Sequence, residues 1–353
     1  MNRQIKLAQA VLEATVQCMQ ADRSVYIIGL GVTDPKGVFG TTLGLEKKFG
    51  SRRVLDMPVA ENGMTGIAIG STLVGMRPIL THQRIDFMLL SLDQIINNAA
   101  KWHYMFGGKM KIPIVIRLLV GRGWGQGPQH SQSLQALFAH IPGLKVVMPA
   151  TPYDAKGLLV SAIEDNNPVI FIEHRWLHNT LGNVPSEKYR VPLGKAKVVK
   201  KGRDLTIVAS SYTTLEAMKA AELLEKDGVN IEVVDLRTIK PLDELTIVKS
   251  VKKTGRLIVV DGAWKSFGVA AEVLAQIAEK AYKSLKCSAV RITFPDAPTP
   301  TGWALANHYY PQVKDIVNAA RKMLKLKRKS RQGPGENLDI PLDVPDATFK
   351  GPF

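Results

Sequence analysis

The stretch Val54-Leu55-Asp56-Met57-Pro58-Val59-Ala60-Glu61-Asn62-Gly63-Met64-Thr65-Gly66-Ile67-Ala68-Ile69-Gly70 decides how this chain is read. It opens as a short apolar strand, passes through a tight turn carrying one acid, and continues as a helix built from small residues. A glycine inside a helix costs about 1 kcal/mol relative to alanine. Gly63, Gly66, Gly70 and Gly75 in one run therefore predict another element packed very close to this helix. Glu61 stands at the mouth of that junction. Taken alone, such an acid is a helix-start charge favoured by the dipole, and a chemical role needs support from the rest of the chain.

Outward from this stretch, strands and helices alternate. Helix 3–20, strand 24–29, helix 43–49, strand 77–81, helix 91–104, strand 112–118, helix 131–140, strand 145–148, helix 154–164 and strand 168–173 make a first half. Alternation of this kind predicts a mostly parallel sheet covered on both faces. A polar stretch with Pro185, Pro192, Gly194 and Gly202 then reads as a linker. Strands 204–209, 231–236, 256–261 and 289–294 alternate with helices 215–227, 242–252 and 268–282, and a last helix spans 312–324. Thr213-Thr214-Leu215-Glu216 has the pattern of a capping box. The expected organisation is an α/β domain at 1–185, a linker at 186–203, a second α/β domain at 204–324 and an extended tail at 325–353 containing basic residues and proline.

The 353 residues, 45% hydrophobic and 22% charged, belong to soluble globular protein of two-domain size. No apolar run approaches the ~20 residues of a membrane span, and the N-terminus leads into amphipathic helix without a secretory apolar core. Cys18 and Cys287 have no metal-ligand spacing, so the expected compartment is reducing and cytoplasmic. Of the net charge of +16, the tail carries six basic and four acidic residues, which leaves +14 spread over the body. Spread charge fits an acidic partner subunit, a phosphorylated substrate or solubility. With no nucleic-acid motif beside it, nucleic-acid binding is not the expected function.

The series Gly121-Arg122-Gly123-Trp124-Gly125-Gln126-Gly127 follows a strand, where α/β sheets place ligands. It matches neither the dinucleotide fingerprint nor a P-loop. It delivers Gln129-His130-Ser131-Gln132 to a helix start, where His130 is either a neighbour of the cap or a site residue. Arg84, Asp86 and Phe87 follow another strand toward the same crevice. Glu173-His174-Arg175-Trp176 does so from the last strand of the first half.

Together these motifs resemble the beta subunit of the thiamine-diphosphate-dependent 2-oxo acid dehydrogenases, the pyruvate and branched-chain type within the transketolase-like group. The resemblance spans about Arg3 to Leu324. It rests on Val59-Ala60-Glu61-Asn62-Gly63, Leu92-Asp93-Gln94-Ile95-Ile96-Asn97-Asn98-Ala99-Ala100-Lys101, Gln129-His130-Ser131-Gln132 and His140-Ile141-Pro142-Gly143-Leu144-Lys145-Val146-Val147. Further matches are Asp154-Ala155-Lys156-Gly157-Leu158-Leu159, Glu164-Asp165-Asn166-Asn167-Pro168-Val169, Val234-Asp235-Leu236-Arg237-Thr238 and Pro311-Gln312-Val313-Lys314-Asp315. It implies a transketolase-like pyrimidine-binding domain followed by a transketolase C-terminal-type domain.

The resemblance also implies roles. Glu61 matches the acid that hydrogen-bonds the aminopyrimidine of thiamine diphosphate and so promotes formation of its nucleophile. His130 matches the histidine that assists at the substrate oxygen or in acyl transfer. Phe87 falls on an aromatic position of the cofactor pocket. Ile114, Ala162, Ile163, Asp165 and Asn167 match positions that hold a monovalent cation such as K⁺, mostly through backbone oxygens. The family's Mg²⁺-binding half uses a Gly-Asp-Gly motif, which this chain lacks. The implied partner is therefore an alpha subunit in an α2β2 assembly, holding Mg²⁺ and sharing the cofactor, with the glycine helix at a subunit contact. The implied reaction decarboxylates a 2-oxo acid and passes the acyl group to a lipoyl acyltransferase.

Some residues depart from the family pattern. Gly29-Leu30-Gly31-Val32 stands where relatives usually carry Gly-Glu-Asp-Val, and Arg84 where they commonly carry Phe. Arg84 either recognises an anionic substrate or pairs with Asp86. With Arg122, Trp124, His174 and Trp176 it suggests a decorated substrate pocket, and His174 joins Arg84 as a candidate there. These departures keep a split-subunit transketolase-like carboligase as an alternative, acting on sugars or aldehydes, with a non-catalytic interaction or nucleic-acid-binding protein as a remoter one.

Overall fold

The computed structural model describes residues 3–123 and 125–326. Trp124 and the expected tail from residue 327 onward lie outside them. Two sheets dominate, both mostly parallel. In the larger, seven strands run in the order Thr238–Lys240, Lys145–Val147, Val169–His174, Val115–Val120, Arg77–His82, Val25–Gly29 and Val54–Leu55. All its pairings are parallel except that of Thr238–Lys240 with Lys145–Val147. The smaller sheet has the order Val290–Phe294, Leu257–Trp264, Leu205–Ala209, Ile231–Asp235 and Lys197–Lys200, with only the last strand antiparallel.

The inner strands are apolar because helices cover both faces. Every residue of Val25–Gly29, Val115–Val120 and Val169–His174 is buried. Two of those buried residues are charged. Arg117 Nε donates to Glu173 Oε1 at 2.7 Å, and Nη2 lies equally near without hydrogen-bond alignment. His178 Nε2 meets the other Glu173 oxygen at 3.1 Å. Both Arg117 and Glu173 side chains are completely excluded from solvent.

Most of the expected elements appear within a few residues of their expected ends, and the differences have local causes. Gln4–Lys6 pairs antiparallel with Leu181–Asn183 before the first helix, Leu7–Ala21, begins. In the expected linker, Lys197–Lys200 is an edge strand of the smaller sheet. The expected helix at 91–104 is three pieces: a 3₁₀ turn Phe87–Ser91, a π-helical turn Gln94–Ala99 and an α-helix Ala100–Met105. The expected helix at 131–140 starts only at Gln135, because Gln132 is held by Asp86. The capping box at Thr213–Glu216 is overturned. Its helix, Tyr212–Glu225, starts after Ser211; Thr213 Oγ1 donates to the Ser210 carbonyl and Glu216 turns toward Arg122.

Thr238–Lys240 follows a strand of the smaller sheet yet pairs with the larger one. Beside it, Arg237 Nη1 donates to buried Asp154 Oδ1 at 3.0 Å, binding the two sheets through an ion pair. Around the glycine helix, Glu61–Thr72, the close neighbour is largely missing among the described residues. A Cβ on Gly66 would touch Gln94 at 3.4 Å, whereas one on Gly63, Gly70 or Gly75 would meet nothing within 4 Å.

Candidate active site

Parallel strands place their C-terminal ends on one edge of the larger sheet, and the expected site residues follow four of those ends. Glu61 comes after Val54–Leu55, Arg84 to Phe87 after Arg77–His82, His130 after Val115–Val120, and His174 closes Val169–His174. Glu61 is the first residue of its helix and only 8% exposed. Its carboxylate takes no hydrogen bond from any described residue. The residue is largely covered, yet its carboxylate oxygens are not sealed from solvent, so they are open to a ligand at the mouth of the helix. Thr65, one turn on, donates to Ser91 at 2.9 Å and fixes the helix against the Phe87–Ser91 turn.

That turn carries Phe87 to His130. Their rings meet edge to face, 5.3 Å apart at 90°. Asp86, just before Phe87, accepts hydrogen bonds from the Gln132 backbone at 3.2 Å and side chain at 2.9 Å. Burial pushes the Asp86 carboxyl up and those hydrogen bonds pull it down, with a net rise. Gly121 makes the approach possible: a Cβ there would lie 2.3 Å from the His130 carbonyl oxygen and 3.0 Å from Arg84 Nε. His130 itself remains exposed.

Arg84 is buried beside this pair. Its Nε donates to Gln126 at 2.9 Å, its Nη1 to the Gln83 carbonyl at 2.7 Å, and the guanidinium lies 5.0 Å from the Phe39 ring centre. Asp86 attracts it electrostatically, but the hydrogen bonds that Asp86 accepts come from Gln132.

His174 faces a different space, a cavity of about 30 Å³ lined by Arg122, Ser131, Tyr212, Glu216 and Asp261 among others. That is room for about one water. Burial, then the charges of Arg122 and His178, hold the imidazole neutral, well below its usual range. Its Nδ1 accepts from the Trp176 backbone N–H at 3.2 Å, so the proton sits on Nε2. Arg122 lies against Trp176, Tyr212 and Tyr310, with Glu216 at 3.8 Å; burial pushes Glu216 up to about 7 despite Arg122. Ser131, next to His130, is the link between this cavity and the Phe87–His130 pair.

The five expected cation positions come together where helix Pro152–Glu164 ends. Arg77 already engages two of the carbonyls, Ile163 at 2.9 Å and Asp165 at 2.6 Å. The Ala162 carbonyl takes Asp165 N–H and the Ile114 carbonyl takes Val169 N–H. Asp165 Oδ1 accepts from Asn167, and Oδ2 from Lys145. Each carbonyl keeps a second lone pair, and an all-oxygen set suits a hard cation. No group of three or more His, Cys, Asp or Glu among the described residues forms another metal site.

Phe39, Gln126, Tyr212 and Glu216 complete these surroundings, although the sequence assigned a site role to none of them. They reach the site from loops or from the second half of the chain, where no spacing rule flags them. Arg175, quoted but given no role, places its guanidinium 4.6 Å from the Phe39 ring centre.

Comparison with known proteins places this geometry in context. The transketolase pyrimidine-binding domain model matches residues 3–179 and the transketolase C-terminal domain model residues 194–316. The chain is 45% identical over 335 residues to the acetoin:2,6-dichlorophenolindophenol oxidoreductase beta subunit of Cupriavidus necator, covering 92% of this chain and 99% of that one. It is 43% identical to the pyruvate dehydrogenase E1 component beta subunit of Bacillus subtilis, covering 91% and 99%. For the mitochondrial counterpart from Bos taurus the identity is 41%, covering 92% and 91%. Among solved structures, a split-gene transketolase described as an inactive beta4 tetramer matches with a TM-score of 0.74 and 24% identity, over 92% of this chain and 99% of that one. At that identity the match concerns the fold.

Proposed function

Because the chain belongs to the transketolase-like family that includes the beta subunits of pyruvate dehydrogenase and acetoin oxidoreductase, we propose that it is the beta subunit of a thiamine-diphosphate-dependent 2-oxo acid dehydrogenase, active with an alpha subunit. The observation that carries this reading is Glu61, a largely covered residue whose carboxylate has no hydrogen-bond partner among the described residues and lies on the same sheet edge as the Phe87–His130 pair. It fits a cofactor ring nitrogen as its missing partner.

Bound thiamine diphosphate supplies the nucleophilic carbon and the electron sink for decarboxylation. Glu61 would hydrogen-bond the pyrimidine ring and hold the proton shared there. Phe87 would pack against that ring and, through its contact with the imidazole, orient His130. His130, exposed at the mouth, donates or removes a proton at the substrate oxygen. Asp86 positions it by gripping Gln132. The diphosphate and Mg²⁺ belong mainly to the alpha subunit, in an α2β2 assembly. The carbonyls of Ile114, Ala162, Ile163, Asp165 and Asn167, with K⁺ as the candidate ion, would brace the sheet behind the site. A lipoyl acyltransferase takes the acyl group. We place the enzyme in the cytoplasm, in keeping with the unpaired Cys18 and Cys287. Among the described residues no helix is long and apolar enough to cross a membrane.

The test is turnover by the chain co-expressed with its alpha subunit, given thiamine diphosphate, Mg²⁺, a panel of 2-oxo acids and a lipoyl domain. Decarboxylation coupled to lipoyl acylation is expected; no turnover of any 2-oxo acid defeats the proposal. The acetoin-named relative at 45% identity favours a second reading, cleavage of a hydroxyketone, which predicts turnover of acetoin in the same assay. Two-carbon transfer between sugars without need of the lipoyl domain would identify the carboligase.

A further inference from the structure

Two buried arginines converge on the ring of Phe39. Arg84 follows the strand Arg77–His82 and Arg175 the strand Val169–His174, and these two strands flank Val115–Val120, whose loop bears His130. Their guanidinium carbons lie 5.0 and 4.6 Å from the centre of the Phe39 ring. Phe39 is held in the left-handed region, φ 50°, by a tight turn in which Thr41 and Thr42 bond to Val38. Side chains reach that region at a cost of about 1–2 kcal/mol, and such strain collects at ligand sites. Arg84 and Arg175 are 3% and 9% exposed. Burial first, and then the charge of Arg84, push Arg175 down to about 10. The nearby carboxylate acting on Arg84 is Asp86, whose Oδ1 accepts both hydrogen bonds from Gln132 while Oδ2 has no hydrogen-bond partner among the described residues. Arg84 Nη2 makes no hydrogen bond with any described residue.

We propose that Arg84 and Arg175, set against Phe39, form an anion subsite for the end of the substrate remote from its reacting carbonyl, so that the enzyme takes substrates with a terminal carboxylate or phosphate. Guanidinium donors suit both, and on Arg84 the nitrogen left for an anion is Nη2, since Nε and Nη1 already bond Gln126 and the Gln83 carbonyl. A bound anion would also relieve the repulsion between the two cations. The inference rests on the reading of the Glu61–His130 edge as the reacting end.

Titration calorimetry on the full chain at fixed ionic strength tests it without turnover. Pyruvate is compared with 2-oxoglutarate, and glyceraldehyde with glyceraldehyde 3-phosphate. At least one terminal anion is expected to bind tenfold or more tightly than its counterpart, and the pair showing it distinguishes carboxylate from phosphate. Arg84→Gln and Arg175→Gln, each with an unchanged circular dichroism spectrum, should reduce that advantage below twofold. Equal binding within both pairs, or an advantage retained in both variants, overturns the subsite. If a variant does not fold, the wild-type comparison decides, backed by the expectation that the preferred anion raises Tm and its counterpart does not. Calorimetry reads no turnover, so an inert complex refutes the proposed function separately.

Discussion

The ring of Phe87 lies edge-on to the imidazole of His130, 5.3 Å away at 90°. The two residues come from loops after adjacent strands, and the contact persists because Asp86 and Gln132, beside them in the chain, are joined by two hydrogen bonds.

Asp86→Ala removes the acceptor of both bonds. Leaving Gln132 without that partner costs about 1–3 kcal/mol, concentrated in the loop that carries His130. In the assembled enzyme kcat should fall tenfold or more while Tm drops by only a few degrees. Steady-state kinetics with a parallel melt checks this; a variant with wild-type kcat would show that the clamp does not position His130.

Gly121→Ala places a methyl group 2.3 Å from the His130 carbonyl. Backbone must move to admit it, at about 1–3 kcal/mol. The expected result is a lower Tm and lower activity together, in contrast to Asp86→Ala. Unaltered melting and activity would mean the loop has room that the geometry denies.

Gly70→Ala should behave in the opposite way. None of the described residues outside the helix's own backbone lies within 4 Å of the added methyl, so the isolated chain should gain about 0.5–1 kcal/mol from better helix propensity. If the helix packs on another subunit, the methyl enters that contact and assembly weakens. Denaturant melts of the chain alone and sedimentation with the alpha subunit read the two effects; tighter assembly would remove the glycine helix from the interface.

Glu173 is the acid whose pH behaviour is best defined. Burial alone would raise it, but the Arg117 charge, followed by the His178 hydrogen bond, holds it at about 2 against an ordinary 4.5. With the folded value depressed, its stabilisation is complete above the unfolded value and disappears as pH falls from about 4.5 to about 2. Glu173→Gln leaves Arg117 buried without its counterion and should cost about 3–5 kcal/mol at pH 7. The variant's stability should also fall less steeply over that acid window. Chemical melts from pH 7 to 3 check both effects; parallel curves would show that Glu173 does not control acid unfolding.

The fold was largely legible because strands buried on both faces, such as Val115–Val120 and Val169–His174, read as continuous apolar runs separated by helices. Pieces set by tertiary contact were not. Thr238–Lys240 and Lys197–Lys200 are short and draw their hydrogen bonds from strands far away in the chain. The Thr213–Glu216 pattern misled because Glu216 answers to Arg122, a neighbour brought by the first half. At the site, motifs located Glu61, Phe87 and His130 on one edge, as strand order requires. They grouped His174 with Arg84, but His174 lines the small cavity between the sheets. Arg84 has Phe39 and Arg175 as its neighbours, a grouping that depends on the path of the loop after Val25–Gly29.

The central claim is that Glu61 meets the cofactor pyrimidine, and the most direct measurement is of Glu61→Gln in the assembled enzyme. Thiamine diphosphate binding and 2-oxo acid decarboxylation are followed side by side in wild type and variant. Glutamine keeps the size of the side chain and loses the shared proton, so a folded, assembled variant is expected whose turnover falls by a hundredfold or more. Turnover within a few fold of wild type, with the cofactor bound, would contradict it.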